Sequence, residues 1–229
     1  ISEGSAIPEA DPSFGQVPLN AYKYGALIQI SRELLDDTGV DLEGYLAMEA
    51  GRALGNLFGQ DAIVGDGTQK PRGVVTDATV GITGGTALAG SFTADNLIDL
   101  HYSVIAPYRK SPACHWMMQD VTVGQVRKLK DNYGQYLWQP GMQIGAPDLL
   151  LGKPVLTDPN VAAVATSAKS VLFGDFSRYF VRLAGALRFE RSDDYAFNTD
   201  LVTFRALMRA DAALVDLTGA VKTFTGNAA

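Results

Sequence analysis

The chain has 229 residues, 47% of them hydrophobic and 19% charged, which is an ordinary composition for a globular protein with a real core. Its formal net charge of −6 argues against tight nucleic-acid binding, which needs a clustered basic surface. A single cysteine, Cys114, excludes an internal disulfide and suits a reducing cytoplasm, and no apolar run is long enough to span a membrane.

The N-terminal part of the chain predicts an extended ribbon. Residues 1–15 are polar and rich in Pro, Gly, Asp and Ser, as exposed segments are. From Val17 to Ser31 apolar residues alternate, with a phase change between Ala21 and Tyr22 that indicates a bulge or a move between two environments. About fifteen extended residues span roughly 50 Å, more than the ~45 Å width of a compact domain of this size. Part of the ribbon is therefore expected to project and to need a neighbouring molecule to cover it.

A long helix is predicted over residues 41–64, where apolar side chains recur at helical spacing, and Asp41 is its expected N-cap. Gly51, Gly55 and Gly59 fall four residues apart on one side of this helix, and each costs ~1 kcal/mol relative to alanine. We expect a strand or another backbone segment to pass close to that side, with local flexibility as the alternative.

The stretch "GDGTQKPRG" at 65–73 combines glycines with a lysine, as phosphate-binding loops do. A phosphate loop follows a strand and opens a helix, whereas this stretch follows the predicted helix. Gly65 and Gly67 are expected to supply a left-handed cap and a turn, and Pro71 to begin extended chain. Because Asp66 would also repel a phosphate, a nucleotide site is not expected.

The rest of the chain mixes helices and strands without a regular βαβ rhythm, which indicates an α+β fold. The expected elements are a helix over 94–108 capped by Thr93, a buried strand at "ACHWMMQ" (113–119), a short helix over 122–131, a loop over 132–148 and a strand region over 149–158. Two strands joined by a turn near Gly185 are expected over 170–194. Residues 196–216 are interpreted as a long bent strand in preference to a helix.

No residue pattern points to catalysis. Asp36–Asp37 and Asp193–Asp194 are adjacent pairs that do not face one another, so caps and surface ion pairs are the better interpretation. Arginines and acids are interleaved over 175–211, which suits a solvated face or a subunit contact. We therefore expect that the protein is not an enzyme and has no catalytic, cofactor-binding or metal-binding residues. The alternative from another functional class is a hydrolase that uses His101 or His115.

Six segments occur in a characteristic order. They are "IPEADPSFGQVPLNAYKYGALIQISRELLDD", "GDGTQKPRGVV", "LKDNYGQYLW", "LLGKPVLTD", "FGDFSRYFV" and "FERSDDYAFNTDLVTFRALMRADAAL". In this order and spacing they resemble the major capsid protein of tailed phages, the Hong Kong 97 type. Each motif is weak alone, but together they are specific, and the resemblance covers nearly the whole chain.

The resemblance implies a division into the named parts of that fold, which are an extended E-loop, a peripheral P-domain and a central A-domain. The implied ranges are the returning E-loop strand over 1–22, the P-domain over 23–69 with 41–64 as its spine helix, the A-domain over 70–183, P-domain return strands over 184–212 and an A-domain tail over 213–229. On this division the projecting ribbon lies over a neighbouring subunit.

The implied function is assembly into hexamers and pentamers of an icosahedral phage or prophage shell, formed in the cytoplasm of the bacterial host. The implied partners are copies of the chain, together with scaffolding, portal, maturation-protease and decoration proteins. Double-stranded DNA would be enclosed rather than gripped, which fits an acidic chain. An encapsulin-like nanocompartment that encloses a cargo enzyme is the alternative with the same fold.

Some members of the family crosslink neighbouring subunits through an E-loop lysine, an asparagine and a buried glutamate. Aligned through "IPEADPSF", the lysine position is Ile7 here, the asparagine position lies near Asp200 with Asn198 close by, and the glutamate position lies near Leu207. Because Ile7 carries no nucleophilic amine, a shell without covalent crosslinks is expected.

Overall fold

The computed structural model describes residues 15–84, 93–131, 133–138 and 148–227. In chain order its elements are β1 (Tyr22–Ser31), α1 (Arg32–Asp37), α2 (Leu42–Val64), α3 (Val74–Asp77), β2 (Thr79–Thr83), α4 (Ala94–Ser103), α5 (Ala106–Arg109), β3 (Cys114–Met118), α6 (Asp120–Arg127), β4 (Leu149–Leu150), β5 (Lys153–Thr157), β6 (Lys169–Asp175), β7 (Tyr179–Leu183), β8 (Arg188–Ala196), β9 (Leu201–Leu214) and β10 (Val221–Thr225). This mixture of helices and strands confirms the predicted α+β class.

The strands form two sheets. In the first, β1 pairs antiparallel with β9 over its full length, while β7 and β8 pair antiparallel with successive parts of β9. The second sheet has the order β2-β10-β6-β3-β5-β4, with parallel pairing between β2 and β10 and between β3 and β5. The strand β9 confirms the extended interpretation for residues 201–214, whereas residues 197–199, inside the same predicted strand, form a 3₁₀ turn.

The helix α2 packs on one face of the first sheet. Alternate side chains of β1 point towards it, because successive residues of a strand face opposite sides. The buried contact is formed by Tyr24 of β1, Ala50 and Leu54 of α2, and Ala206 and Ala210 of β9. The Asp41 carboxylate accepts a hydrogen bond from the Gly44 N–H at 3.0 Å, so the predicted helix and its cap are both confirmed.

The second sheet builds its own core against α4 and α6. Trp116 of β3 is fully buried there, its indole N–H donates to the Leu150 carbonyl at 2.9 Å, and its ring centroid lies 4.3 Å from that of Phe173. Cys114 is buried at the start of the same strand. The expected buried strand at "ACHWMMQ" is therefore confirmed.

A third group of buried apolar side chains connects the first sheet and α2 with the second sheet. It consists of Ile63, Val74, Ala78, Val161, Leu172, Leu214 and Val221. Beside it the Arg72 guanidinium lies 2.6 Å from the Asp77 carboxylate, whose side chain is 2% exposed, and the same carboxylate accepts from the Leu214 N–H at 3.3 Å. A buried carboxylate thus links α3 to the end of β9.

The prediction of a strand from Val17 to Ser31 is wrong for residues 17–21. Regular pairing begins only at Tyr22, and residues 15–21 form no strand within the chain. Pro18 has no N–H to donate to a neighbouring strand, and the backbone at 19–20 is bonded to side chains instead. The phase change in the apolar pattern between Ala21 and Tyr22 marks the point at which β1 begins to pair with β9.

The chain after Pro71 is also not extended as expected, because α3 follows directly. Proline restricts the residue before it, so its effect does not reach residue 74. The Lys169 ammonium donates to the carbonyls of Val75 and Ala78, at 2.7 and 3.0 Å, and stabilises the end of this short helix. Burial lowers the pKa of Lys169.

The glycines of "GDGTQKPRG" end α2, but one of them does so differently from the prediction. Gly67 has a φ of +80°, as a left-handed turn requires, whereas Gly65 has a φ of −58°. A Cβ at Gly65 would lie 2.2 Å from the Pro71 carbonyl oxygen. Close backbone approach, not left-handed geometry, requires glycine at that position.

Two predicted helices have different bounds in the structure, and the second of them, α6, ends at Arg127 instead of residue 131. The helix capped by Thr93 ends at Ser103, and α5 begins separately at Ala106, because Pro107 inside a continuous helix would clash with the Ser103 carbonyl. The following helix α6 begins two residues earlier than expected, at Asp120. Of the loop expected over 132–148, position 132 and positions 139–147 lie outside the described residues.

The segment expected to hold two strands over 170–194 holds three. The Asp175 carboxylate accepts from the Ser177 N–H at 3.0 Å and caps a single 3₁₀ turn at Phe176–Arg178, which separates β6 from β7. The chain passes there from the second sheet to the first. The expected turn near Gly185 is confirmed, with a φ of +88°.

Candidate assembly surfaces

The root of the N-terminal segment is fastened to the first sheet. The Arg182 guanidinium donates to the carbonyls of Leu19 and Asn20, the latter at 3.3 Å. The Asn20 N–H donates to the carboxylate of Asp211, which is only 4% exposed. These bonds fasten residues 19–20 to the first sheet. The sequence did not indicate Arg182 or Asp211 in this role, because they lie far along the chain from residue 20.

The helix α2 also directs apolar side chains away from its sheet. Tyr45, Met48 and Leu57 are each about half exposed. On the same helix, Gly55 and Gly59 have no heavy atom within 4 Å of a built Cβ, and at Gly51 there is only a methyl of Leu187 at 3.9 Å. The close neighbour expected at the three glycines is therefore not present among the described residues of the chain.

A second exposed apolar feature lies at the end of β8. Tyr195 is 69% exposed and Phe197, in a 3₁₀ turn, is 80% exposed. The turn closes at Asp200, which has a φ of +51° and accepts a hydrogen bond from the Arg32 N–H at 3.2 Å. The backbone of the turn is thus held while its aromatic rings project. Aromatic side chains in such positions are typical anchors of protein interfaces.

His101 lies among aromatic side chains of the second sheet's core. The ring centroid of His101 lies 4.8 Å from that of Phe173 and 6.2 Å from that of Trp116, and burial lowers the pKa of His101. Burial likewise raises the pKa of the Cys114 thiol. In the part of the chain that the structure describes, no group of three His, Cys, Asp or Glu side chains could hold a metal ion. The helices of that part include none with the length and apolarity to cross a membrane.

The interleaved charges of the first sheet form ion pairs in part. Arg191 contacts Asp193 at 2.9 Å and also Glu43 of α2, and Arg205 contacts Glu190 with its Nε at 3.1 Å. The Arg205 side chain lowers the pKa of Glu190. The surface ion pair expected at Asp193 is confirmed.

Comparison with known proteins shows to which family of proteins the chain belongs. The model of the phage capsid family matches residues 1–225. The chain is 30% identical to a solved structure described as the capsid of a native GTA particle computed with C5 symmetry, with a TM-score of 0.87, covering 100% of this chain and 80% of that one. A structure from Mycobacterium phage Adephagia is 17% identical with a TM-score of 0.68, covering 100% of this chain and 81% of that one. No curated protein matches the chain.

The chain therefore belongs to the phage capsid family. Its members are structural shell proteins, so the protein is a capsid protein and not an enzyme, and the expected Hong Kong 97-type fold is confirmed. The hydrolase alternative is thereby excluded, and the encapsulin-like alternative is not favoured. Localisation in a virion capsid follows from the family.

Proposed function

We propose that the protein is the major subunit of an icosahedral shell built from hexamers and pentamers that encloses double-stranded DNA. The observation that carries this proposal is the family match over residues 1–225 together with exposed apolar features on the first sheet and its helix. The similar GTA capsid was computed with C5 symmetry, which supports a pentameric arrangement of chains of this kind. Assembly would take place in the host cytoplasm.

We assign the parts of the fold by the same reasoning. The strands β1, β8 and most of β9, together with α2 as the spine helix, correspond to the proposed P-domain over 23–69 and 184–212. The second sheet and β7 correspond to the proposed A-domain over 70–183 with its tail over 213–229. Residues 1–22 are the proposed E-loop strand, which leaves the body at the root held by Arg182 and Asp211. Residues 1–14 of this assignment lie outside the described residues.

The assignment explains why apolar side chains stay exposed. Tyr195 near the end of β8, Phe197 in the turn that follows it and the outward side chains of α2 would be covered by adjoining copies. Removing such side chains from water favours association by about 25 cal/mol for each Å² of apolar surface, against which the entropy cost of association counts. Scaffolding, portal, maturation-protease and decoration proteins are further proposed partners, and the net charge of −6 suits a container that encloses DNA without gripping it.

Negative-stain electron microscopy of the purified protein tests the proposal. We expect closed shells or isolated rings of five or six subunits, because the exposed apolar side chains favour association. Variants in which both His101 and His115 are replaced by glutamine should form the same particles. A field of single subunits at every protein concentration would contradict the proposal.

We further propose that the shell lacks covalent crosslinks. Ile7 has no amine, the asparagine position falls in the turn that contains Asn198 and Asp200, and Leu207 packs over Gly25 instead of supplying a carboxylate. Denaturing electrophoresis of assembled particles should therefore give free monomers. A ladder of covalent oligomers would contradict this part of the proposal.

A further inference from the structure

A titratable ring holds the C-terminal end of α4 on the second sheet. His101 lies in the last turn of this helix, and its ring centroid is 4.8 Å from that of Phe173 in β6. The plane of the His101 ring is within 22° of that of Trp116 in β3, at a centroid distance of 6.2 Å. Phe173 and Trp116 are fully buried, as is Leu100 of the same helix. His101 therefore contributes to the contact between α4 and the sheet as an aromatic core residue would.

The inner ring nitrogen of His101 has no acceptor for a hydrogen. Its Nδ1 atom is buried and forms no hydrogen bond with any described residue. A neutral imidazole carries one N–H and one lone pair, so Nδ1 can remain unprotonated while Nε2 carries the hydrogen. An imidazolium carries N–H groups on both nitrogens. Protonation would therefore place a charged, unpaired donor among aromatic rings, which costs free energy.

The cations around His101 oppose a further positive charge. Burial is the larger cause that lowers the pKa of His101, and the positive charges of Arg109 in α5 and Lys153 in β5 lower it further. The C-terminal end of a helix normally favours a protonated histidine. Here the Lys222 ammonium of β10 already donates to the Ser103 carbonyl at that end, at 2.7 Å. The helix end therefore offers His101 little compensation for a charge.

The acids and thiol near this end of α4 do not offset those cations. Asp95 and Asp99, on α4 itself, are exposed. The carboxylate of Asp175, at the end of β6, is occupied by hydrogen bonds from the turn that follows it. The Cys114 thiol of β3 has a pKa that burial raises, so it carries no negative charge at neutral pH. None of these groups is a counter-ion for a protonated His101.

We propose that His101 is an acid-sensitive switch that releases the C-terminal end of α4 from the second sheet. Above the ordinary histidine pKa of about 6.5, the ring is neutral in both the packed and the released state, and the contact has its full strength. Below that pH the released ring takes up a proton that the packed ring resists, so the contact weakens as the pH falls towards the lowered pKa of the packed ring. Release would expose the rings of Trp116 and Phe173 to solvent.

Amide hydrogen exchange of the full chain at pH 7.5 and pH 5, followed by mass spectrometry and corrected for the intrinsic pH dependence of exchange, tests the switch. We expect the opening equilibrium constant of residues 94–103 to rise at least about fivefold at pH 5; one histidine of ordinary pKa can raise it at most about thirtyfold. The rise should be absent in His101→Gln and in His101→Phe, which keeps an aromatic ring. Residues 42–64 should exchange alike in all three proteins.

The other histidine supplies the matched control. His115 of β3 also has a buried Nδ1 without a described partner, but it faces the opposite side of the strand from Trp116. His115→Gln should therefore keep the acid-induced rise in exchange of α4. Loss of the rise in His115→Gln, or its persistence in the His101 variants, overturns the inference.

A measurement on the unmodified chain does not depend on whether any variant folds. Exchange of the imidazole C2 hydrogen, followed by mass spectrometry, gives the pKa of His101 in the free subunit or in a particle. We expect a pKa below about 6.5, and a value at or above it overturns the inference. The inference does not require that copies associate, so these results leave the proposed function intact, and absence of particles at neutral pH would count against the proposed function alone.

Discussion

Replacing Trp116 with alanine is expected to lower the free energy of unfolding of the unassembled subunit by about 3–5 kcal/mol, the usual cost of deleting a fully buried large aromatic side chain. The ring is completely buried, contacts Phe173 and His101, and donates its N–H to the Leu150 carbonyl. The variant would lose these contacts and leave a cavity in the core of the second sheet. Urea unfolding followed by circular dichroism measures the change.

Two further variants make that result interpretable. Tyr133→Ala removes an aromatic ring that is 92% exposed and should change stability by less than about 0.5 kcal/mol. Trp116→Phe retains most of the ring but loses the hydrogen bond to Leu150, so a smaller loss of about 1 kcal/mol is expected. Equal losses for Trp116→Ala and Tyr133→Ala would show that the second sheet does not have the core described.

Replacing Arg72 with alanine is expected to lower the free energy of unfolding by about 2–3 kcal/mol. This is less than the cost of breaking a fully buried ion pair, because the Arg72 side chain is half exposed. The buried Asp77 carboxylate would keep its bond from the Leu214 N–H and the weaker attraction of the Lys169 ammonium but lose its ion pair with Arg72. The junction between the two sheets should therefore become the weakest part of the subunit, which amide hydrogen exchange near residues 72–78 and 212–214 would detect.

The double variant Arg72→Ala with Asp77→Asn tests the cause of that loss. Asparagine removes the buried charge and keeps an oxygen for the Leu214 N–H, so the double variant should recover part of the stability lost in Arg72→Ala. Arg52→Ala is the matched control, since its ion pair with Glu49 lies on the exposed surface of α2 and should contribute little. If the effects of the two changes at 72 and 77 simply add, the pair is not coupled as described.

Elements governed by local chemistry could be predicted from the sequence. The helix α2 has a capping carboxylate at Asp41 and a sustained helical pattern, and β9 is rich in residues that favour strands. The helix after Thr93 likewise begins where its capping residue predicts. In each case short-range contacts decide the structure.

The sequence predictions are wrong where contacts between distant parts of the chain determine the local structure. The short helix α3 is stabilised by Lys169, and the break between β6 and β7 reflects a change of sheet that no local pattern shows. The bonds that Arg182 and Asp211 make with the backbone of Asn20 could not be predicted either, because those residues lie far along the chain. The position of Lys23 opposite Arg209 could not be predicted for the same reason, because only the register of β1 and β9 brings the two residues together.

The central claim is that one copy of this chain leaves apolar side chains exposed that further copies cover. Sedimentation velocity of the purified full chain over a wide range of protein concentration tests it most directly. We expect the 24.4 kDa species to give way to rings or shells as the concentration rises. A single species of monomer mass throughout, with Tyr195 and Phe197 still exposed and the chain fully folded, would contradict it.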